Sequence, residues 1–520
     1  MVGTNAAVAP DFIGVASDSR EITWAELEAM AGRWAAALRG HGLRPGDRVA
    51  SLLPNRIDLL VHYLGCIAAG LVAVPLNYRY VPPQVDHALE TCGASALVAH
   101  AERAAELAGS RRVPDLERGV VWFLDDPAHV GPHALSDVTT APAGQPTTLD
   151  LLARAPAEGP RWHGDLDDPA FVLFTSGSTG PAKGVTHSLR SMGWMTAMAS
   201  AAFGLTDEDV FLPASSMSHL GSLLWSLASL SVGARVVVAH TFDGDELLPL
   251  IRRHRPTVMA MIPAALTALV RDHRASAADF ASLRICRSGS DHVPAELDTE
   301  FEALAGFLID EGYGMSEIGL ATLNPPAGTI KPGSIGVPIP GMAITLRDAT
   351  GAPTPPGEVG RIHMRAPSAT VGYWEAPDAT TEVFDDEGWL DSGDLAHADE
   401  EGYLWFFGRV KQVIVHDGSN ISPTEVEDAL SEHPAVTAVG VVGVGDTVHG
   451  QNVRAYVVLD DDQDRPTSQE LIRFARARVG YRAPEEVVVL DELPLNPTGK
   501  VDRVGLAALA EEQVNARGGA

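Results

Sequence analysis

Cysteine and basic residues are scarce in this sequence. Its 520 residues include three cysteines, Cys66, Cys92 and Cys286, which are far apart and lack the spacing of metal ligands. This argues against a disulfide framework and for a reducing compartment. Lysine and arginine number 38 against 68 aspartates and glutamates, which gives a formal net charge of −30 at pH 7. Such a charge disfavours nucleic acid and anionic membrane surfaces as partners, and any phosphate ligand needs a local basic site.

Segments that direct a chain into a membrane are also lacking. The first residues, MVGTNAAVAPDFIGVASD, have neither a basic start nor a long apolar run, so we expect no signal peptide. Residues 210–234 contain no Asp, Glu, Lys or Arg, but Pro213 lies among them and the leucines recur at helical spacing. A buried amphipathic helix explains this stretch better than a membrane span. The sequence therefore predicts a cytoplasmic protein with no integral membrane span.

Alternating strand and helix patterns predict an α/β fold. Thr23 and Glu26 have the spacing of a capping box, and the helix that they begin is expected to stop at Gly40. We expect a large N-terminal domain of layered, mostly parallel sheets with helices, in which residues 141–164 form a loop. The other elements predicted here are the helix Ile57–Ala69 and the strands Val49–Leu53, Leu71–Val74, Phe171–Phe174, Arg235–Ala239 and Thr257–Ile262.

The pattern changes after Gly408. The remaining residues are numerous enough for a small α+β domain, so we expect domains at 1–408 and 409–520. The predicted strands are Val413–Val415, Val436–Val444 and Val453–Leu459, and the predicted helices are Ser422–His433, Gln469–Arg478 and Val501–Asn515.

A glycine-rich segment, TSGSTGPAKG, follows the apolar strand Phe171–Phe174 at once. Glycines let backbone N–H groups converge on an anion, hydroxyls add donors, and Lys183 supplies a full positive charge. The segment is not a Walker loop, because Gly184 follows the lysine where that motif needs Ser or Thr. It predicts a phosphate-binding loop, with a flexible surface loop as the alternative. The candidate residues are Thr175, Ser176, Gly177, Ser178, Thr179, Gly180 and Lys183.

The same loop resembles the signature loop of the adenylate-forming superfamily, which includes acyl-CoA synthetases, luciferases and the adenylation domains of peptide synthetases. Four further segments match that superfamily in order. They are EGYGMSE (311–317), GWLDSGDLA (388–396), GYLWFFGRVKQVIVHDGSNISPTEVE (402–427) and PLNPTGKVDR (494–503). The resemblance runs through most of the chain and is greatest to the acyl-CoA synthetases.

The resemblance implies a reaction in two halves. A carboxylate attacks the α-phosphate of ATP, which gives an acyl-adenylate and pyrophosphate, and the thiol of coenzyme A then displaces AMP. The first half brings two anions together, so the site must supply positive charge and fixed geometry. Lys183 and its loop would hold the β- and γ-phosphates, and Glu317 would hold Mg²⁺, a cation that prefers oxygen ligands.

Further roles also come from the resemblance. Gly312, Tyr313, Gly314 and Ser316 would form the adenine segment, with Tyr313 stacking on the base; the superfamily usually has Thr where this chain has Ser316. Asp394 would accept from both ribose hydroxyls, assisted by Arg409. Lys500 would bridge the carboxylate and the α-phosphate during adenylation. Lys411 would be the hinge about which a mobile C-terminal domain swings between the two half-reactions. His219 would lie near the acyl pocket and the thiol route.

Without its motif, each of these residues could equally have an ordinary structural role. Glu317 could be a surface carboxylate, Tyr313 and His219 core residues, Asp394 a turn residue, and Lys500 a solvated charge. A general-base role for His219 cannot be inferred from one histidine without geometry.

Two departures from the superfamily bear on the substrates. Where it often has Ser-Gly-Gly-Ala-Pro, this chain has RSGSDHVP, which places Ser290, Asp291 and His292 near the substrate end. Buried polar groups need partners, so a purely aliphatic acid is disfavoured, unless these side chains point outward. Where two glycines usually line the thiol route, Asp417 precedes Gly418. Gln412 likewise replaces a commonly acidic residue beside the hinge.

Three functions are therefore distinguished. The first is an ATP-dependent acyl- or aryl-acid:CoA ligase. The second keeps adenylation but passes the activated group to a carrier-protein thiol or an amine, or activates another oxyanion such as nitrite; a peptide-synthetase module is disfavoured, since no carrier domain follows Arg517. The third is a nucleotide-binding protein without turnover. Pyrophosphate release separates the third from the others, and CoA dependence separates the first from the second.

Overall fold

The computed structural model describes residues 2–125, 140–175, 182–289, 293–325, 328–417, 419–446, 449–460, 465–496 and 500–518. These residues form two compact units. The large unit holds the described residues of 1–175, 181–343 and 365–388. The small unit holds those of 344–364 and 389–520.

Two seven-stranded sheets form the framework of the large unit. In sheet A all neighbouring strands are parallel except the last pair. Its spatial order is Asp310–Glu311, Ile285–Ser288, Val258–Met261, Val210–Ala214, Arg235–Val237, Ile13–Ala16 and Glu21–Thr23. In sheet B the first two pairs are antiparallel and the others parallel. Its order is Gly372–Tyr373, Gly184–Ser188, Pro169–Phe174, Val72–Pro75, Arg48–Leu52, Ala96–His100 and Val120–Phe123.

Helices pack on these sheets and bury two apolar cores. One core joins sheet A to the helices Gly244–His254 and Ala295–Ala305, and the other joins sheet B to the helix Pro82–Cys92. The remaining helices of the large unit are Val2–Val8, Trp24–Gly40, Ile57–Ala69, Ala104–Leu107, Thr148–Arg154, Leu189–Phe203, Leu220–Val232, Pro263–Thr267, Ala277–Phe280 and Pro377–Val383, with short 3₁₀ turns at Ala101–Arg103 and Val113–Asp115 and a π turn at Ala268–Asp272. A three-stranded antiparallel sheet completes this unit: Tyr313–Met315, Gly319–Leu323 and Val337–Pro338.

The small unit contains two sheets. The first has the order Ala343–Arg347, Gly360–Arg365, Leu390–Ala398 and Leu404–Arg409. The second has the order Ser419–Ile421, Ile414–His416, Gly450–Leu459 and Val436–Asp446, with Glu486–Val489 paired to Gly450–Leu459. Helices Pro423–Ser431 and Ser468–Val479, the latter followed by the 3₁₀ turn Gly480–Arg482, pack on one face of the second sheet, and helix Arg503–Gly518 packs on the other.

The predicted fold class is confirmed: an α/β large unit with mostly parallel sheets and a smaller α+β unit. The helix Ile57–Ala69 has the predicted bounds, and the Thr23 capping box is present. The apolar stretch after Val210 is a strand and then the buried helix Leu220–Val232. Within the described part of the chain, no helix is both long enough and apolar enough to cross a membrane.

One prediction about local structure is wrong. Residues 141–164 were expected to form a loop, but Thr148–Arg154 is a helix. Its first turn is a capping box, since the Thr147 hydroxyl accepts from the Asp150 N–H and the Asp150 carboxylate accepts from the Thr147 N–H. The Thr-x-x-Asp spacing, a variant of the capping box, was the available signal, and the surrounding Pro, Ala and Gly residues obscured it.

A buried carboxylate holds the turn before the helix Gly244–His254. Glu246 is 1% exposed. It accepts from the His240 N–H at 2.7 Å, the Thr241 N–H at 2.6 Å and the Thr241 hydroxyl at 2.8 Å, and the His240 Nδ1 atom lies 3.2 Å from it. Burial alone would raise the pKa of Glu246, but the donors of His240 and Thr241 outweigh it and lower the pKa to about 2.

We therefore predict that Glu246→Gln lowers the free energy of unfolding at pH 7 by about 2–3 kcal/mol, since hydrogen bonds to a charged group are lost. A carboxyl group with a depressed pKa stabilises the fold above its unfolded-state pKa and loses that effect as pH falls. The difference between variant and wild type should shrink from about pH 4.5 toward pH 2. Urea unfolding at pH 7, 4 and 3 measures it, and a difference that stays constant with pH would contradict the assignment.

Candidate active site

The carboxyl ends of parallel strands meet at one edge of each sheet, where ligands of open α/β sheets bind. In sheet A, Ala214, Met261, Ser288 and Glu311 stand in register at this edge. From there the described chain continues into the predicted segments 215–219 and 312–317, and into Gly289. The fold thus brings together the starts of segments that are up to about a hundred residues apart in sequence.

Two asparagines connect the carboxyl edges of sheets A and B. Asn55, which follows the strand Arg48–Leu52, donates to the Ser215 carbonyl at 2.9 Å and accepts from the Met217 N–H at 2.8 Å. Asn77 follows the strand Val72–Pro75, and its side-chain nitrogen lies 3.3 Å from Nε2 of His219. In this arrangement Nε2 accepts and Nδ1 carries the proton of the neutral ring. His219 therefore lies where both sheet edges meet, half-buried at the start of the helix Leu220–Val232.

The predicted phosphate loop connects the two strands of a β-hairpin. Phe174 pairs with Gly184, and the Thr175 N–H donates to the Lys183 carbonyl at 3.4 Å. Lys183, at the end of the loop, is exposed, and its Nζ lies 4.8 Å from the centre of the Tyr373 ring. This cation–π contact orients the ammonium group without neutralising its charge.

The Glu317 carboxylate lies on the other side of Tyr373. The tyrosine hydroxyl donates to Oε1 of Glu317 at 2.8 Å, and Glu317 is 6% exposed. Burial raises the pKa of Tyr373, and the neighbouring Glu317 charge raises it further, so the phenol keeps its proton and remains a donor. Lys183, Tyr373 and Glu317 thus form a continuous row in which one tyrosine positions a cation and an anion.

Backbone contacts fix the segment that carries Glu317. The buried His187 donates from Nε2 to the Ser316 carbonyl at 2.7 Å, and burial lowers its pKa to about 4, so the ring stays neutral. The Thr370 N–H donates to the Glu317 carbonyl at 2.6 Å. The strands on either side, Gly184–Ser188 and Gly372–Tyr373, are neighbours in sheet B. Sheet B therefore orients Glu317, although Glu317 itself follows sheet A.

The predicted adenine segment forms a narrow hairpin. Tyr313 and Met315 belong to one strand, which pairs with Gly319–Leu323. A Cβ at Gly312 would lie 2.8 Å from the Thr322 carbonyl oxygen, and a Cβ at Gly314 would overlap the Gly319 carbonyl. Both positions therefore need glycine because the backbones approach closely. Tyr313 is half-buried, and its N–H donates to the Thr322 hydroxyl at 3.2 Å.

Asp394 and Arg409 pair within the small unit. They stand opposite each other on the antiparallel strands Leu390–Ala398 and Leu404–Arg409, with Nε of Arg409 3.2 Å from Oδ1 of Asp394. Asp394 is 4% exposed, and its N–H donates to the Ser392 hydroxyl. The structure therefore brings these two predicted ribose residues together.

Two predicted lysines, Lys411 and Lys500, lie in loops of the small unit. Lys411 is exposed in a turn, in which the N–H groups of Gln412 and Val413 both donate to the Arg409 carbonyl. Lys500 is half-buried, and its N–H donates to the Asn496 side chain at 3.1 Å while its carbonyl accepts from the Asn496 N–H.

Asp417 has a left-handed backbone, with φ of +49°. Asp is one of the few residues other than glycine that tolerate this conformation. Its carboxylate lies 2.8 Å from Nδ1 of His449, which raises the pKa of His449. The predicted roles of Ser176, Gly177, Ser178, Thr179, Gly180, Ser290, Asp291, His292 and Gly418 remain predictions, because these residues lie outside the described part of the chain.

Sequence reasoning missed several residues of the site. Tyr373, His187 and Thr370 gave no signal, since their roles depend on sheet pairing with distant segments. Arg287 was also missed: it is half-buried near the carboxyl end of the strand Ile285–Ser288, with its guanidinium 5.0 Å from the centre of the Trp225 ring and one nitrogen donating to the Gly312 carbonyl at 3.2 Å. Burial lowers its pKa to about 10 and raises the pKa of the nearby Asp310. The arginine within the apolar strand of "RICRSGS" was the signal available for it.

Comparison with known proteins agrees with this geometry. Residues 3–374 match the family described as AMP-binding enzyme, and residues 425–500 match the AMP-binding enzyme C-terminal domain. The feruloyl-CoA synthase of Amycolatopsis sp is 34% identical over 503 residues, 95% of each chain. The fatty acid–[acyl-carrier-protein] ligase ScoC of Streptomyces coeruleorubidus is 31% identical over 513 residues, 95% of this chain and 92% of the relative. The structure of ATP-bound MatB from Rhodopseudomonas palustris aligns with a TM-score of 0.86 at 28% identity, over 98% of each chain.

We predict that Tyr373→Phe weakens ATP binding about tenfold in the presence of Mg²⁺ and little in its absence. The change removes one hydrogen bond to a charged group, worth about 1.5–3 kcal/mol, and keeps the ring beside Lys183. Tyr373→Leu removes both contacts and should weaken binding under both conditions. Calorimetry with and without Mg²⁺ measures this. If Tyr373→Phe binds like wild type while Tyr373→Leu is impaired, only the ring matters and the hydroxyl has no positioning role.

Proposed function

This chain belongs to the AMP-binding enzyme family of adenylate-forming enzymes, and on that basis we propose that it is an AMP-forming acid–thiol ligase. It activates a carboxylic acid with ATP as an acyl-adenylate, releases pyrophosphate and transfers the acyl group to coenzyme A. The observation that carries this proposal is the row Lys183–Tyr373–Glu317, which places an ammonium group and a carboxylate at the edge where the sheets' ligand segments converge.

Adenylation needs positive charge around the phosphates and a metal to organise them. Lys183 is exposed at the end of the glycine-rich loop and would meet the β- and γ-phosphates. The donor set fits Mg²⁺, since Glu317 offers a buried carboxylate of fixed orientation. When bound, Mg²⁺ supplies electrostatic stabilisation to the phosphate oxygens. Tyr373 and the backbone contacts of His187 and Thr370 hold Glu317 in place for that role.

Two segments are proposed to contribute to nucleoside binding, one through the base and one through the ribose. Tyr313 lies in the narrow hairpin with Gly319–Leu323, and its ring would stack on the base. Asp394 is buried beside Arg409, and its carboxylate oxygens would accept from the two ribose hydroxyls. Arg409 then keeps the carboxylate oriented.

Lys500 is proposed as the catalytic lysine of adenylation. Its backbone is fixed by Asn496, which accepts from the Lys500 N–H through its side chain and donates from its own N–H to the Lys500 carbonyl. A rotation about Lys411 would carry residues 409–520 as a domain, separate Lys500 from the phosphate and make room for the thiol. Since the strands of 389–409 belong to the same compact unit as the C-terminal residues, the boundary at 408/409 is a proposal about motion.

The acceptor is proposed to be CoA, with a carrier-protein thiol as the second candidate. The named relatives include both kinds, a feruloyl-CoA synthase and a fatty acid–[acyl-carrier-protein] ligase. Asp417 would stand beside the thiol route, but its charge is partly balanced by His449 at 2.8 Å. A carboxylate paired in this way would repel an approaching thiolate less than an isolated carboxylate would.

The acid is proposed to carry aromatic or polar groups. Arg287 is a half-buried cation that shortly precedes the 289–292 segment in sequence, and its guanidinium lies over the Trp225 ring. The similarity to a feruloyl-CoA synthase supports the same class of acid. The cell compartment is proposed to be the cytoplasm, because Cys66, Cys92 and Cys286 are all free thiols.

We predict that Lys500→Ala lowers the rate of adenylation about 10²–10³-fold, the usual scale for the loss of one electrostatic donor. Thioester formation from chemically made acyl-adenylate should change far less, because the lysine is not needed in that step. Pyrophosphate release and thioester formation are measured separately. A neighbouring charge change, Arg503→Gln, serves as the control, and equal losses in both half-reactions would refute the assignment of Lys500.

We also predict that Asp417→Gly speeds the thioester half-reaction by up to about tenfold and leaves adenylation unchanged. Two unit charges about 4 Å apart repel by about 1 kcal/mol in water and about 4 kcal/mol at a surface-like dielectric, and the His449 pair keeps the effect near the lower value. Rapid-quench measurement of acyl-CoA formed from acyl-adenylate tests this. If neither wild type nor variant makes acyl-CoA, CoA is not the acceptor, and carrier-protein thiols take its place in the assay.

A further inference from the structure

Two histidines and an aspartate converge in the small unit, apart from the adenylation residues. This two-histidine cluster consists of His416, Asp417 and His449, and one ligand atom from each lies within 4.8 Å of the others. Nε2 of His416 is 3.7 Å from Oδ2 of Asp417, and Nδ1 of His449 is 2.8 Å from Oδ1 of Asp417. The two imidazole rings are stacked with their centres 5.0 Å apart.

Hydrogen bonding fixes which nitrogen of His416 faces the cluster. Nδ1 of His416 lies 2.7 Å from the Gln451 carbonyl oxygen, which can only accept, so Nδ1 carries a proton. In the neutral ring Nε2 then presents a lone pair toward two carboxylates, Asp417 and Glu485, each 3.7 Å away. A histidine that donates from one nitrogen to a backbone carbonyl and offers the other is the usual arrangement of a metal ligand.

The backbone around the cluster is held independently of these side chains. The Asp417 N–H donates to the His449 carbonyl at 3.0 Å, and the His449 N–H donates to Asp446 at 2.8 Å. The left-handed backbone of Asp417 turns the chain at this point. His416 is 13% exposed at its side chain, whereas Asp417 is 60% and His449 43% exposed. The cluster is thus anchored on one side and open to solvent on the other.

Charge also favours a cation here. Asp417 and Glu485 face the histidines directly, and Asp446 accepts from the His449 N–H. Lone pairs and carboxylates that face one another repel unless a proton or a metal ion lies between them. The exposed side leaves an entry path for an ion.

We propose that the two-histidine cluster binds a divalent transition metal of the Zn²⁺ type. His416 Nε2, an Asp417 oxygen and a ring nitrogen of His449 would be the ligands, with Glu485 within reach as a fourth. Imidazole and carboxylate ligands suit Zn²⁺, whereas Mg²⁺ prefers oxygen ligands alone. Binding would release the proton that Nδ1 of His449 shares with Asp417 when that nitrogen becomes a ligand, and it would join the turn at 417 to residue 449. Zn²⁺ binding at this site can be measured separately from the proposed ligase activity.

The chain provides a matched control cluster, Asp243, Asp245 and His273. There Nε2 of His273 lies 3.5 Å from Asp243 and Nδ1 lies 3.3 Å from Asp245. Each ring nitrogen faces its own carboxylate, so no backbone carbonyl fixes the proton of His273 and no single lone pair is presented. We expect no tight metal binding at this cluster.

The test uses the full chain without an affinity tag, stripped of metals, in excess Mg²⁺ and without ATP, acid or CoA. Zn²⁺ is titrated in competition with a chromophoric chelator, for wild type and for His416→Gln, His449→Gln and His273→Gln. We expect wild type and His273→Gln to bind one Zn²⁺ alike, and the other two variants to bind it about tenfold more weakly or worse. Co²⁺ should give a visible absorption band of tetrahedral type in wild type and in His273→Gln only.

Several results would contradict the proposed metal site. Absence of Zn²⁺ binding to wild type, or equal affinity in all four proteins, would mean that the cluster is an ion-paired surface group only. If circular dichroism shows that a cluster variant is poorly folded, the effect of Zn²⁺ on the unfolding temperature of wild type is measured instead. A ligand that binds only the folded state stabilises that state and raises this temperature. No shift would likewise overturn the proposal. Failure of ligase activity would leave this test unaffected.

Discussion

Burying a carboxylate costs several kcal/mol unless donors or cations compensate it, and the Glu317 site is built around that requirement. The Tyr373 hydroxyl supplies a hydrogen bond at 2.8 Å, and the same ring lies beside the Lys183 ammonium. His187 and Thr370 then fix the backbone on which the carboxylate depends. Because all three partners come from sheet B or its edge, the position of Glu317 depends on how the two sheets of the large unit are joined.

The two units hold different groups of the predicted catalytic and binding residues, and the two half-reactions explain why this is useful. The large unit holds Lys183 and Glu317, which are proposed to face phosphate and metal, and the small unit holds Asp394, Arg409 and Lys500. Adenylation takes place at the α-phosphorus and thiol transfer at the acyl carbon, so the two steps need different groups around the acyl-adenylate. An enzyme that carries its catalytic lysine on a separate unit can exchange that group between steps without rebuilding the phosphate site.

Much of the fold was predictable because its strands are short apolar runs between turn residues, and the helix Ile57–Ala69 is a longer apolar run that is buried over most of its length. The strand Gly184–Ser188 was not predicted. It contains Thr186, His187 and Ser188, all buried, and burial of polar residues in a strand depends on partners such as Ser316 and Thr370 that lie far away in sequence. Glu317 and Asp394 could be proposed as site residues from the sequence because each lies in a segment that resembles the superfamily. Tyr373 and Asn77 were not, because their contacts with Glu317 and His219 join segments that are far apart in sequence. The tolerance of Asp417 for a left-handed turn was predictable from residue chemistry, and φ of +49° confirms it.

The central claim is that this chain activates a carboxylic acid with ATP and passes it to a thiol. The most direct measurement is pyrophosphate release across a panel of aromatic, polar and long-chain aliphatic acids, each with and without CoA, with the products identified by mass spectrometry. The account predicts acid-dependent pyrophosphate release, an acyl-AMP mass without CoA, and an acyl-CoA mass with it, greatest for aromatic or polar acids. Pyrophosphate release that no acid stimulates, or ATP binding with no acyl-AMP, would contradict it.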